Sequence, residues 1–152
     1  MSARDILLQS FCLINIALAV GLCSGHLQVS NASAESGAQV RQEFPTLNIA
    51  EAAQRLVKGD ALFVDARPFE AYKRAYIPNA VSLPMGEKPD SELLARLRQA
   101  PTLIVYCDGI DCQASEIVAA SLRAMKFSNI VLMVEGINGW KEAGMPVDHF
   151  PE

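Results

Sequence analysis

The stretch Thr102-Leu103-Ile104-Val105-Tyr106-Cys107 decides the fold class. It is the strongest candidate strand in the chain, a short uncharged run of the kind that parallel sheets bury on both faces. The run stops at Cys107, and a polar loop follows. We therefore predict a strand near the centre of a sheet, with a cysteine directly after its carboxyl end.

Working outward from this strand, apolar runs and helical spacing alternate along the chain. The runs predict further strands at Ala61–Asp65, Val81–Leu83 and Ile130–Val134. Apolar residues at helical spacing, with end signals such as Asp90 and Gly59, predict helices at 49–58, 69–74, 91–99, 113–126 and 137–143. Strands that alternate with helices indicate an α/β fold with a mainly parallel sheet.

The 152 residues divide into three parts by composition. We assign 1–27 to a membrane anchor or signal segment, 28–45 to a linker rich in Ser, Ala and Gln, and 46–152 to one globular domain. The net charge is −4, and the lysines and arginines are scattered. A nucleic acid is therefore not an expected partner.

The apolar run Ile6–Gly25 is long enough to cross a bilayer as a single helix, so a membrane anchor is our first interpretation. A signal peptide cleaved after Ala32-Ser33-Ala34 and a buried helix are the alternatives. Arg4 is the only lysine or arginine near the run before Arg41, which places the domain outside the cytoplasm. We expect a bacterial envelope protein, anchored in the inner membrane with a periplasmic domain or secreted to the periplasm.

Two cysteines, Cys107 and Cys112, lie close together in the globular part. Ligands of open parallel sheets bind beyond the carboxyl ends of the strands. A loop that leads from such an end into a helix can turn its backbone N–H groups toward a sulfur, which stabilises a thiolate. Cys107 is therefore a candidate nucleophile, and an inert buried thiol is the alternative.

Several segments, in order, resemble the rhodanese family of sulfurtransferases. The resemblance covers about Leu47 to Asp148, and no single segment decides it. Its segments are Phe63-Val64-Asp65-Ala66-Arg67, Phe69-Glu70, Ile77-Pro78-Asn79-Ala80, Val105-Tyr106-Cys107, Val134-Glu135-Gly136 and Trp140 to Val147.

The resemblance implies a three-layer α/β sandwich and a two-step sulfur transfer. Cys107 would take the outer sulfur of thiosulfate or another small donor as a persulfide, and a thiol or cyanide would accept it. No metal or organic cofactor is implied. The loop expected to bind the donor through its backbone amides comprises Asp108, Gly109, Ile110, Asp111, Cys112, Gln113, Ala114 and Ser115, with Asp65, Arg67 and Glu70 as supporting residues.

The loop departs from the family pattern in length and charge. It holds no lysine or arginine, and Asp108, Asp111 and Glu116 surround it. Carboxylates repel a dianionic donor and raise the pKa of a nearby thiol, so thiosulfate is expected to be a poor substrate. The missing arginine also argues against the related phosphatases and arsenate reductases. We expect Asp65 and Arg67 to brace the strand ends, with Arg67 paired to Glu70.

Cys112 leaves two alternatives to the sulfurtransferase. Five residues after Cys107, it is either a small residue packed beneath the loop or a thiol that forms a disulfide with Cys107 or accepts its sulfur. The second case permits a thiol oxidoreductase or redox sensor. A non-catalytic interaction module of the same family is the remaining hypothesis.

Overall fold

The computed structural model describes residues 44–151. The predicted anchor or signal segment (1–27), and with it the predicted N-terminal helix, lies outside the described residues, as does most of the linker. Within 44–151, no helix combines the length and the apolar character that crossing a bilayer requires.

The described chain alternates strands and helices, as the sequence predicts. The strands are β1 Leu62–Asp65, β2 Val81–Ser82, β3 Leu103–Tyr106 and β4 Ile130–Met133. The helices are α1 Ile49–Lys58, α2 Phe69–Arg74, α3 Ser91–Gln99, α4 Ala114–Ala124 and α5 Gly136–Glu142.

The four strands form a parallel sheet in the order β2-β1-β3-β4. β3 lies between β1 and β4, so the predicted internal position of this strand is confirmed. The register pairs Tyr106 with Asp65 on one side and with Met133 on the other. The carboxyl ends of three neighbouring strands therefore stop at one level, and the segments that follow them share one edge of the sheet.

Alternate side chains of each strand enter two separate cores. Val64 and Val105 pack with Leu97 of α3 and Val118 of α4. The opposite face packs against α1, α2 and α5 through Phe63, Ile104, Ala52, Tyr72 and Trp140. Helices thus cover both faces of the sheet, which confirms the three-layer arrangement.

Side chains and backbone conformation set the helix ends. Asn48 begins α1: its side-chain oxygen accepts a hydrogen bond from the Glu51 N–H, and its own N–H donates one to the Glu51 carboxylate. Gly59 ends α1 at φ 66°, where a glycine is least strained. Asp90 begins α3 by accepting from the Leu93 N–H at 2.8 Å. These ends agree with the sequence.

α4 is shorter than the sequence predicts. It spans Ala114–Ala124 rather than 113–126. At its start, the Gln113 side chain makes no capping hydrogen bond. At its far end, Lys126 adopts a positive φ of 70°, which turns the chain out of the helix. Apolar periodicity alone reveals neither the uncapped start of α4 nor the positive φ that follows its end.

Matched valine substitutions test the packing of α4. Val118 is buried in the core, whereas Val57 on α1 is 88% exposed. Both lie in helices, so the change in helix propensity on substitution by alanine is shared. We expect Val118→Ala to lower the free energy of unfolding by about 2 kcal/mol more than Val57→Ala. Urea denaturation followed by the fluorescence of Trp140 measures the difference, and equal effects would contradict this packing.

Candidate functional site

The site lies at the edge of the sheet where β1, β3 and β4 end. Cys107 directly follows β3, Ala66 and Arg67 follow β1, and Glu135 precedes α5 after β4. The Ala66 N–H donates to the Tyr106 carbonyl at 2.9 Å, which continues the β1–β3 pairing to the start of the loop. Parallel topology therefore brings together segments that are distant in the sequence.

Backbone hydrogen bonds from α5 hold the start of the cysteine loop. The N–H of Ile137 donates to the Cys107 carbonyl at 2.9 Å, and that of Asn138 to the Asp108 carbonyl at 3.0 Å. The approach depends on Gly136, which has φ +60°. A Cβ there would lie 2.6 Å from the Asp108 carbonyl oxygen. Glycine is thus required for this contact.

Cys107 and Cys112 form a disulfide. The Cys112 N–H donates to the Gly109 carbonyl at 3.0 Å, a tight turn that brings the chain back toward β3. The two Cα atoms are 6.2 Å apart, which is within the ordinary range for bridged cysteines. Cys107 is only 2% exposed, whereas Cys112 is partly exposed. Of the two alternatives for Cys112, this geometry therefore supports the thiol that bonds to Cys107.

A cavity of about 550 Å³ opens beside the disulfide. Five of the eight predicted loop residues line it, and Gln113, Ala114 and Ser115 do not. The wall that the sequence analysis missed comes from α5 and the residue before it. The lining residues are Asp108, Gly109, Ile110, Asp111, Cys112, Glu135, Asn138, Gly139 and Glu142. The signal for Glu135 was available, because the residues that directly follow β4 must share the edge at which Cys107 lies.

The cavity is acidic. Four carboxylates line it, on Asp108, Asp111, Glu135 and Glu142, and its lining contains no lysine or arginine. Glu116 is buried in the first turn of α4 and is not part of the lining. The negative potential predicted from the loop alone is therefore reinforced by α5. Such a cavity repels anions and favours neutral or cationic ligands.

A buried arginine supports the loop from below. Arg67 donates to both carboxylate oxygens of Asp65, at 2.9 Å from Nε and 2.6 Å from Nη2. Nη2 also donates to the Ala75 carbonyl at 2.6 Å, and Nη1 lies 3.6 Å from the Asp108 carboxylate. Desolvation lowers the pKa of Arg67, but its hydrogen bonds with Asp65 and the charge of Asp65 outweigh this and raise it.

The expected pairing of Arg67 with Glu70 is wrong. Arg67 turns inward to Asp65, because the buried carboxylate offers bidentate hydrogen bonds that water does not compete for. Glu70 is exposed and pairs with Lys73 at 2.8 Å, one helical turn away on α2. The expected bracing role of Asp65 and Arg67 is consistent with their geometry.

Tyr106 joins this support from the last position of β3. Its hydroxyl accepts a hydrogen bond from the Ile77 N–H at 3.3 Å. Burial, followed by the neighbouring Asp65 carboxylate, raises the pKa of the Tyr106 hydroxyl, which stays protonated. Tyr106 is therefore a neutral anchor for the segment after α2, and it is not a base.

Cys107, Asp108 and Cys112 are also the kind of residues that bind a metal. Their ligand atoms all lie within 4.8 Å of one another. A metal binds thiolates, and the disulfide removes both thiolates. The arrangement described here is thus a disulfide site, and it offers the Asp108 carboxylate alone as a charged ligand from this group.

Two glycines test the approach of α5 to the cysteine loop. Gly136 and Gly144 both have positive φ, but only Gly136 has backbone atoms within reach of a Cβ, since nothing lies within 4 Å of the corresponding point at Gly144. Both variants hold an alanine at a positive φ, so this strain is common to them. Gly136→Ala should therefore lower the free energy of unfolding by about 2 kcal/mol more than Gly144→Ala. Urea denaturation followed by circular dichroism measures both. A smaller loss for Gly136→Ala would refute the close approach.

Substitution of Arg67 tests the buried ion pair. Arg67→Met leaves the Asp65 carboxylate buried without its partner, and we expect a loss of about 3–5 kcal/mol of unfolding free energy. Arg67→Lys keeps the charge but loses the bidentate geometry, so its loss should be smaller. Asp65→Asn/Arg67→Met should recover part of the stability lost in Arg67→Met, because the orphaned charge is gone. No recovery in the double variant would show that packing, rather than charge, explains the loss.

Comparison with known proteins agrees with this architecture. The model of the rhodanese-like domain family matches residues 48–143. A protein of Synechococcus elongatus named "Putative thiosulfate sulfurtransferase" is 33% identical over 134 residues, covering 76% of this chain and 41% of that protein. An HTH-type transcriptional regulator of Mycobacterium tuberculosis is 33% identical over 100 residues, covering 65% of this chain and 42% of that protein. The chain thus matches less than half the length of either relative.

Solved structures give the same result. A thiosulfate sulfurtransferase from Pseudomonas aeruginosa has a TM-score of 0.61 and 27% identity, covering 76% of this chain and 22% of that one. The BH2092 protein from Bacillus halodurans has a TM-score of 0.63 and 26% identity, covering 78% of this chain and 87% of that one. Since the family model spans more than half of the sequence and its match includes Cys107, this chain belongs to the rhodanese-like domain family.

Proposed function

We propose that the chain is a sulfurtransferase that carries sulfane sulfur as a persulfide on Cys107. The observation that carries the proposal is the position of Cys107 directly after the central strand β3, in a loop where a second sulfur is already bonded to it. The Cys112 sulfur occupies the kind of position that the outer sulfur of a persulfide would take. An outer sulfur on Cys107 would take this position once reduction releases Cys112 from it.

The transfer proceeds in two balanced steps once the disulfide is reduced. The Cys107 thiolate attacks the sulfane sulfur of the donor, and the donor's own sulfur bond breaks, so thiosulfate would leave as sulfite. An acceptor thiolate then attacks the outer sulfur of the persulfide, and the Cys107 thiolate leaves. The family's sulfurtransferases and the name of the cyanobacterial relative support this chemistry.

The charge of the cavity bears on the donor. Asp108, Asp111, Glu135 and Glu142 surround the approach to the sulfur site. Thiosulfate carries two negative charges, so its approach is opposed more strongly than that of a monoanionic hydropolysulfide. We therefore propose a less charged sulfane donor and a neutral or cationic acceptor thiol.

The disulfide favours a second function, reversible dithiol exchange between Cys107 and Cys112. In this case the pair oxidises or senses thiols, and no persulfide forms. The similarity to a transcriptional regulator is compatible with sensing. The placement in a bacterial envelope, inferred from residues 1–27, remains part of either proposal.

Intact-mass spectrometry of the full-length chain separates the two functions. Cys12→Ser/Cys23→Ser serves as the background, which leaves Cys107 and Cys112 as the only thiols. After reduction and treatment with polysulfide, the background with Cys112→Ser should gain about 32 Da, and the background with Cys107→Ser should gain nothing. Thiosulfate should load several-fold more slowly, and added salt should narrow the difference. No gain in Cys112→Ser would refute the sulfurtransferase.

A further inference from the structure

The two bonded cysteines differ in access from outside. Cys107 is buried at the end of β3, whereas Cys112 is partly exposed and lines the acidic cavity. The turn closed by the Cys112 N–H and the Gly109 carbonyl holds Cys112 within bonding distance of Cys107. A sulfur loaded on Cys107 would therefore have a thiol beside it before any external acceptor arrived.

We propose that Cys112 resolves the Cys107 persulfide, so that the chain reduces sulfane sulfur to hydrosulfide and is left as the observed disulfide. This inference rests on the proposed persulfide of Cys107 and adds a product and a reductant to it. Cys112 is then neither a structural residue nor a sulfur acceptor, but the source of the second thiol that the reduction consumes.

The step balances in atoms and electrons. The Cys112 thiolate attacks Sγ of Cys107, the bond between Sγ and the outer sulfur breaks, and the outer sulfur leaves as hydrosulfide with the proton that Cys112 gave up. The sulfane sulfur is reduced by two electrons, and the two cysteines are oxidised to the disulfide. An external dithiol then reduces the disulfide and restores both thiols.

The exposure of Cys112 determines how the disulfide is reduced again. Asp108, Asp111 and Glu135 lie on the cavity beside Cys112 and disfavour a thiolate there, so the attack by Cys112 should become faster as the pH rises. Since Cys112 is the accessible sulfur, the external dithiol attacks Cys112 and releases Cys107 as the leaving thiolate. The acidic cavity selects an uncharged or cationic dithiol over an anionic one.

A single-turnover experiment tests the inference on the full-length chain in the Cys12→Ser/Cys23→Ser background. The reduced chain receives one equivalent of polysulfide sulfur without external thiol, and hydrosulfide and intact mass are then followed over time. We expect one hydrosulfide per chain beyond what the donor itself releases on loading, and a final mass about 2 Da below the reduced chain. The matched Cys112→Ser variant should keep the added sulfur, about 32 Da, and release only the hydrosulfide that comes from the donor.

The possible outcomes distinguish the resolving role of Cys112 from the persulfide function of Cys107 on which it rests. A background chain that keeps its added sulfur, or equal hydrosulfide release with and without Cys112, overturns the resolving role and leaves the persulfide of Cys107 standing. Added sulfur found on Cys112 assigns it as an acceptor and also overturns the resolving role. No added sulfur in Cys112→Ser shows that the persulfide itself fails, and the inference fails with it.

Discussion

The site depends on the two hydrogen bonds that α5 donates to the carbonyls of Cys107 and Asp108. They fix the backbone immediately after β3, so the loop can turn only beyond Asp108. The turn at Gly109 then directs Cys112 back toward Cys107. Gly136 makes these bonds possible, because a side chain there would occupy the space of the loop's backbone. A small residue in a distant segment thus determines where Cys107 and Cys112 meet.

Charge is organised around this loop in two layers. Beneath it, Arg67 is neutralised by Asp65 and extends one N–H group toward Asp108. Above it, four carboxylates face the cavity. Arg67 is the only buried cation in the part of the chain that the structure describes, and it is already engaged, so it does little to attract an anionic substrate into the cavity. This separates the chain electrostatically from a site built to bind an oxyanion.

The sequence was sufficient for the order of elements and the internal position of β3, and it left a Cys107–Cys112 pair as one of two alternatives. These follow from local patterns, such as the apolar run before Cys107 and the short spacing to Cys112. The sequence was insufficient for the ion-pair partner of Arg67. The choice between Glu70 and Asp65 depends on which carboxylate is buried, and residue spacing does not show this. It also missed Glu142, because only the packed position of α5 places that carboxylate on the cavity.

The proposed resolving step joins two activities that the sequence left as alternatives. A persulfide carrier needs its loaded sulfur to survive until an acceptor arrives, and a thiol at bonding distance shortens that life. Cys112 lies at bonding distance, and Cys107 is buried from external thiols. Attack by Cys112 within the same chain avoids the entropic cost of bringing an external thiol to the site. The geometry of the loop therefore favours the proposed resolving step over transfer of the sulfur to an external acceptor.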